Sequence, residues 1–271
     1  MRVRILGSAA GGGYPQWNCR CRVCDAARAG DAVPRSQSSL AIRGEDGPWF
    51  LVNASPDLRQ QLELLDARVD GVRAPPVAGV LLTDAEIDHT AGLLLMRESA
   101  SPLRVYGDAG IERALSETVL RMLERFCGVD WRALPLEGSS LVVEPFEVSD
   151  DQTGFVFRDG GATVTYAPGL ARLDDDVVAR LAASDVVLVD GTFWRDDDLA
   201  RLGISDRTAR DMGHVPLTGG TLEMLAALER PRKILVHINN TNPILLEDSP
   251  ERAEVVRAGV EVAYDGLEVE L

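Results

Sequence analysis

The chain has 271 residues, 45% of them hydrophobic, and its 43 Asp and Glu against 28 Lys and Arg leave a formal net charge of −15. That length suffices for a large buried core, and the acidic surplus argues against a nucleic-acid surface, which requires a basic stripe. No apolar run is long enough to cross a bilayer, and residues 1–7 enter a short strand and a glycine loop without a signal-peptide core, so a cytoplasmic location with reduced thiols is expected.

A strand over residues 3–6 runs into the glycine loop 7–13. No Gly-Lys-Ser/Thr follows and no Gly-x-Gly-x-x-Gly opens a helix, which argues against a nucleotide loop. Glycines that permit close backbone approach are the better account. Cys19, Cys21 and Cys24 come next, in a loop of about residues 17–25. Three thiols at this spacing in a reduced compartment read as a structural zinc knuckle. A closed tetrahedral site needs a fourth ligand, for which Cys127, at the end of an amphipathic helix, and Asn240 are alternatives.

Residues 38–42 and 49–53 read as paired strands about a Glu45-Asp46-Gly47 turn. A helix is predicted from Ser55, with Ser55 as N-cap, Pro56 in the first position and Leu58, Leu62 and Leu65 as its apolar stripe. The run 79–82 has the character of a buried strand. It ends abruptly in Asp84, Glu86, Asp88 and His89, and an apolar run with helical spacing follows. Residues 103–105, 141–143, 155–157 and 162–166 read as strands, 108–126 and 173–183 as helices, and 146–162 as the least structured stretch. Residues 185–189 and 233–236 repeat the central pattern: a β-branched run that delivers one ligand, Asp190 or His237, at its C-terminal end. With no repeat, low-complexity tract or linker, residues 1–271 read as one domain.

Three acids and an imidazole within six residues at the mouth of a strand point to a metal site, since Asp and neutral His ligate zinc or ferrous iron. The chain has three histidines. His89 and His237 sit at strand ends, and His214 sits in a Met-Gly-His-Val-Pro turn.

This order of elements resembles the metallo-β-lactamase fold, an α/β (α+β) αββα sandwich of two mixed sheets flanked by helices with metals at one sheet edge. Its signature has the form His-x-His-x-Asp-His. The matching positions are Asp84, Glu86, Asp88 and His89, so only the last two are retained. Asp190 matches the family's bridging aspartate, and His237 its late histidine. Long blocks narrow the resemblance: residues 6–19, 53–57, 87–90, 166–169, 189–192, 212–214, 237–245 and 249–255 look like the pyrroloquinoline quinone (PQQ) synthesis protein B family.

The resemblance implies an iron-dependent hydroxylase acting on the tyrosine part of the cross-linked Glu-Tyr precursor of PQQ. Fe2+ is then expected at Asp88, His89, Asp190 and His237, and Zn2+ at the cysteines. Two histidines plus carboxylate with open positions is also the ligand logic of non-haem ferrous oxygenases. Carboxylates in place of two imidazoles make a harder, more anionic site with a weak second cation position. Asp84 and His214 are the candidate catalytic side chains, the latter resembling an extra histidine that some phosphodiesterases of this fold use as a general acid. Gln37, Ser38, Arg207, Arg210 and Asn239 are candidate substrate-binding residues, with the arginines suited to carboxylates. Residues 239–242 are placed to brace His237. The expected partners are the amino-acid-derived precursor, dioxygen and, in an older carrier reading, PQQ itself; neither nucleic acid nor membrane insertion is expected, and a homodimer is left open. The alternatives are a metal-dependent hydrolase of the phosphodiesterase kind and a non-catalytic carrier. One departure stands out: residues 141–166 are fewer than in the family, which implies loss of part of a substrate-covering loop.

Overall fold

A computed structural model describes residues 1–66, 72 and 74–271. Its strands are β1 (Arg2–Gly7), β2 (Ser39–Arg43), β3 (Phe50–Val52), β4 (Gly79–Leu81), β5 (Leu103–Tyr106), β6 (Val129–Arg132), β7 (Val142–Glu147), β8 (Thr153–Asp159), β9 (Ala162–Ala167), β10 (Val186–Asp190), β11 (Arg232–Val236), β12 (Val260–Val262) and β13 (Glu268–Glu270). The helices are α1 (Arg22–Ala29), α2 (Leu58–Leu62), α3 (Ile87–Thr90), α4 (Ala109–Ser116), α5 (Val119–Leu123), α6 (Asp175–Ala182), α7 (Asp198–Arg201), α8 (Thr221–Ala227) and α9 (Pro250–Arg257).

The strands form two mixed sheets, ordered β13-β1-β2-β3-β4-β5-β6 and β12-β11-β10-β9-β8-β7. From β3 to β6 the first sheet is parallel, and from β9 to β12 so is the second. Alternation along each strand sorts the layers, because successive side chains leave opposite faces. Leu40, Ile42, Phe50 and Val52 meet Phe157, Tyr166, Leu188 and Val236 between the sheets. Ala41, Leu51 and Val80 point the other way, onto Leu58, Ile111 and Leu115 of α2 and α4. On the far side Val187, Val189 and Leu235 meet Val177 and Leu181 of α6, Leu225 of α8 and Val255 of α9. The result is the four-layer αββα sandwich read from the sequence. β10 is buried along its whole length, as a parallel strand covered on both faces should be.

Local chemistry sets the helix starts. Asp174 caps α6, accepting from Val177 N–H (2.9 Å), with Asp175 and Asp176 in the first turn and Arg180 in the last. Ser249 caps α9 ahead of Pro250, accepting from Arg252 N–H (3.0 Å). The 39–43 and 50–52 strands pair antiparallel as expected.

Several expectations are corrected. α2 starts at Leu58, not after Ser55, because the Ser55 hydroxyl is spent in a turn: it accepts from Asp57 N–H (3.1 Å) and donates to Gln61 Oε1 (2.9 Å). The predicted 108–126 helix is two, α4 and α5, broken at Glu117 and Thr118. The stretch taken as least structured belongs mostly to the β7–β8 hairpin, closed by residues 148–152. Its edge position leaves Glu144, Glu147 and Arg158 in solvent, which hides the strand period. The cysteine loop becomes helical at Arg22, so Cys24 lies on α1. β6, β12, β13, α7 and α8 went unread; most are only three or four residues long.

Candidate metal centre

The C-terminal ends of β4, β10 and β11 lie at one edge of the sandwich, where α3 brings Asp88 and His89 up to His237. Asp88 Oδ2 lies 3.7 Å from His89 Nε2 and 3.6 Å from His237 Nε2, beyond hydrogen-bond distance. Both Nε2 atoms are buried and have no hydrogen-bond partner. Two orphaned ring nitrogens flanking a carboxylate oxygen are costly unless a cation fills the space between them. Metal–ligand bonds of about 2.1 Å place neighbouring ligand atoms roughly 3.0–3.5 Å apart, close to the spacing seen. The donor set therefore fits a divalent ion.

The other ring nitrogens are committed. His89 Nδ1–H donates to Asp84 Oδ2 (2.6 Å). Asp84 also accepts from Thr83 Oγ1 (2.8 Å) and Glu86 N–H (2.9 Å), and Asn53 holds Thr83 through its N–H (3.0 Å) and hydroxyl (2.9 Å). Asn53 tolerates its φ of 63° because asparagine visits the left-handed region readily. With a carboxylate on Nδ1, His89 presents a lone pair at Nε2. Burial lowers the basicity of His89, but Asp84, Asp88 and Glu86 outweigh it and the imidazole is pushed up to about 9. Burial would raise the Asp88 carboxyl, yet His237 and His89 hold it well below the usual carboxylate range. Both shifts mark a pocket that favours positive charge.

His237 follows β11 with φ of 54°, a conformation that costs a non-glycine residue about 1–3 kcal/mol. Its Nδ1 lies 2.9 Å from Thr192 Oγ1, which also lies 2.8 Å from His237 O and 2.5 Å from Asp190 Oδ1. Asp190 is fully engaged: Oδ1 also takes Thr192 N–H (2.9 Å), and Oδ2 takes Leu170 N–H (3.1 Å) and His214 Nδ1–H (2.6 Å). It thus orients His214, and with His214 and His237 it forms a second group of candidate ligands whose atoms lie within 4.8 Å of one another. The His214 ring stacks on His237 with centroids 5.5 Å apart, and the His89 and His237 centroids are 5.2 Å apart.

The glycine loop closes one side. A Cβ on Gly11 would lie 3.1 Å from Asp88 Oδ2, and one on Gly7 would strike Gln37 O at 2.0 Å. This is the close approach expected of these glycines.

The sulfurs of Cys19, Cys21 and Cys24 lie within 4.8 Å of one another, compatible with the roughly 3.8 Å that 2.3 Å bonds at tetrahedral angles require. Asn240 Nδ2 lies 3.1 Å from Cys24 Sγ, whereas Cys127 Sγ points to Met96 O. Of the two alternatives for a fourth position, the fold brings up Asn240 and leaves Cys127 elsewhere. Burial and the neighbouring thiols push Cys21 up to about 12.

An open groove of about 1020 Å³ runs past Asp84 and Glu86 to Gly213, beside His214, and Arg172 and Arg207 supply its positive charge. Arg207 Nη2 donates to Asp211 O (2.9 Å). Arg210 does not line the groove and donates to Gly219 O (3.3 Å). Ser38 is buried, with its hydroxyl 3.3 Å from the Tyr166 phenol. Gln37 bridges Gly12 N–H (2.9 Å) and Asp57 Oδ2 (3.0 Å), bracing the glycine loop. Asn239 Oδ1 accepts from Thr241 N–H (3.0 Å) and hydroxyl (2.8 Å), and Asn242 Nδ2 donates to Gly191 O (2.8 Å), so this run braces the turn after His237. Sequence reasoning missed Thr83 and Thr192. A signal was present: Asp84, Asp88 and Asp190 each have a threonine within two residues.

Residues 48–238 match the model of the β-lactamase superfamily domain. The chain is 46% identical over 302 positions to coenzyme PQQ synthesis protein B of Cupriavidus taiwanensis, covering 99% of both chains. It is 43% identical over 304 positions to that of Methylococcus capsulatus, covering 100% of both. Both alignments exceed the 271 residues of this chain, so these relatives carry residues it lacks. The crystal structure of Zn(2+)-bound PqqB from Methylobacterium extorquens superposes with a TM-score of 0.92 at 40% identity and 100% coverage of both chains. A diphosphatase of the PhnP family, at 19% identity and a TM-score of 0.72 over 100% of this chain and 97% of that one, shares the fold. With long sequence blocks, the four-layer fold and full-length similarity in agreement, this chain belongs to the coenzyme PQQ synthesis protein B family of the metallo-β-lactamase superfamily.

Proposed function

We propose that the chain serves PQQ biosynthesis as an iron-dependent oxygenase that hydroxylates the tyrosine part of a Glu-Tyr-derived precursor. The observation that carries the reading is the pair of unpartnered, buried Nε2 atoms of His89 and His237 on either side of Asp88 Oδ2. The chemistry a ferrous ion supplies there is dioxygen activation at positions that two imidazoles and one carboxylate leave open. The zinc named for the M. extorquens relative is compatible with the same donors, since imidazole and carboxylate hold both metals.

Around that centre the protein's own groups divide the work. Asp84 fixes the His89 tautomer and is a positioning residue, its oxygens all engaged. Asp190 holds His214 Nδ1–H, which leaves His214 Nε2 as an acceptor for a phenolic proton. The groove receives the precursor, and Arg207 at its wall meets a substrate carboxylate. The turn of residues 239–242 keeps His237 in place.

The test is anaerobic reconstitution with ferrous iron, followed by oxygen uptake and product mass with the tyrosine-derived precursor. Uptake that depends on the precursor and gives an oxygenated product supports the reading. Cleavage of bis(p-nitrophenyl) phosphate with zinc or manganese, abolished in Asp88→Ala, together with no oxygen uptake replaces it with a hydrolase. His214→Ala should keep its iron and lose about 100-fold or more in rate, the usual worth of a positioned acid or base.

A further inference from the structure

Thr192 stands at the junction of the two histidines that the proposed function uses differently. Its hydroxyl is within hydrogen-bond distance of His237 Nδ1 (2.9 Å), His237 O (2.8 Å) and Asp190 Oδ1 (2.5 Å), and the side chain is buried. A hydroxyl carries one hydrogen and two lone pairs. The nearest acceptor, the Asp190 carboxylate, takes that hydrogen, and the Thr192 oxygen then accepts from His237 Nδ1–H. The chain His237 Nδ1–H → Thr192 Oγ1–H → Asp190 ← His214 Nδ1–H therefore has a single direction. In their neutral forms both His237 and His214 are left with lone pairs at Nε2.

We propose that Thr192 is a positioning residue that fixes the tautomer of His237, a metal ligand in the reading above, and clamps the carboxylate that orients His214. Two structural details fit this role. His237 has the left-handed backbone φ of 54° and needs an anchor on its own side chain, which Thr192 supplies at Nδ1. Asn242 in turn holds the backbone carbonyls of Gly191 (2.8 Å) and Thr192 (3.3 Å), so the threonine sits in a braced turn. At His89 the order is reversed: its Nδ1 goes directly to Asp84 (2.6 Å), and the Thr83 hydroxyl stands farther off (3.4 Å). The two imidazoles are thus inequivalent: one is backed by a carboxylate, the other by a hydroxyl.

The inference rests on the metal centre of Asp88, His89 and His237, and the test separates the two. Zinc is titrated into the full chain, and the binding that disappears in His89→Ala is assigned to this centre. The imidazole 15N signals are then read in the metal-free protein, where no metal on Nε2 dictates the tautomer. Thr192→Val removes the hydroxyl at nearly constant volume, and Thr192→Ser restores it. The expected results are Nδ1–H tautomers for His237 and His214 in the wild type, and shifted 15N signals for both in Thr192→Val. Zinc affinity at the centre should fall about 10–100-fold in that variant, with affinity and spectra near wild type in Thr192→Ser. A wild type with no zinc at the histidines overturns the metal centre and the Thr192 role together. A wild type that binds zinc but, metal-free, carries the His237 proton on Nε2 overturns the Thr192 role alone. So does a Thr192→Val protein that melts earlier but keeps both its affinity and its histidine spectra. The wild-type tautomer decides the matter even where Thr192→Val does not fold.

Discussion

The thiol cluster and the histidine centre gather ligand atoms in opposite ways. Cys19, Cys21 and Cys24 lie within six residues of one another, and their geometry is set by one loop and the first turn of α1. Asp88, His89 and His237 come from elements almost 150 positions apart and meet only because β4 and β11 end at the same edge of two packed sheets. The local site can form as soon as its loop does and is suited to holding structure. The distant one exists only in the finished fold and can keep coordination positions open. The two are also joined. The turn after β11 supplies His237 to one and Asn240, three residues on, to the other. The glycine loop before the cysteines pairs with that turn through Ala10 N–H to Ile238 O (2.9 Å), and Gly11 packs on Asp88.

The contrast can be broken one site at a time. The largest effect is expected from Asp88→Ala, which should abolish metal binding at the histidines, a loss of more than about 100-fold, because it leaves two imidazoles without their carboxylate. Zinc at the cysteines should stay, and metal analysis checks both. Cys24→Ser should do the reverse. Structural zinc contributes directly to folding free energy, so thermal denaturation should show a fall on the order of 10 °C in Tm for a domain of this size. In the protein that survives, the histidine centre should still bind. A normal melt and no zinc in the wild type would contradict the knuckle.

Smaller changes sharpen the junction between the two. Gly11→Ala puts a methyl 3.1 Å from Asp88 Oδ2, so the loop or the carboxylate must give by a few tenths of an ångström. A cost of about 1 kcal/mol, or roughly five-fold in affinity at the histidine centre with zinc at the cysteines unchanged, is the expected outcome of a metal titration. Arg207→Ala is expected to be mildest. Exposed ion pairs contribute about 0.2–1 kcal/mol, so KM for the precursor should rise up to about five-fold while kcat and metal content hold.

Much of this was legible in the chain. Buried runs that end in Asp or His mark β4, β10 and β11, and cysteine spacing marks the thiol cluster, because both are local patterns. Ligand competition was not legible. Asp190 reads as a metal ligand by its place after β10, but only the fold shows Leu170, Thr192 and His214 using both of its oxygens. Ser38 reads as a polar pocket residue, and the fold sets it in the bend before β2, against Tyr166. The β7–β8 hairpin escaped because charged side chains on an edge strand blur the alternation that identifies buried ones.

Every role assigned to these side chains depends on one metal at the histidines. Counting ferrous iron and zinc per chain after anaerobic reconstitution, in the wild type and in Asp88→Ala, tests it most directly. The prediction is one iron and one zinc in the wild type, and zinc alone in Asp88→Ala. Two ferrous ions at the histidine edge, or one that persists without Asp88, would contradict it.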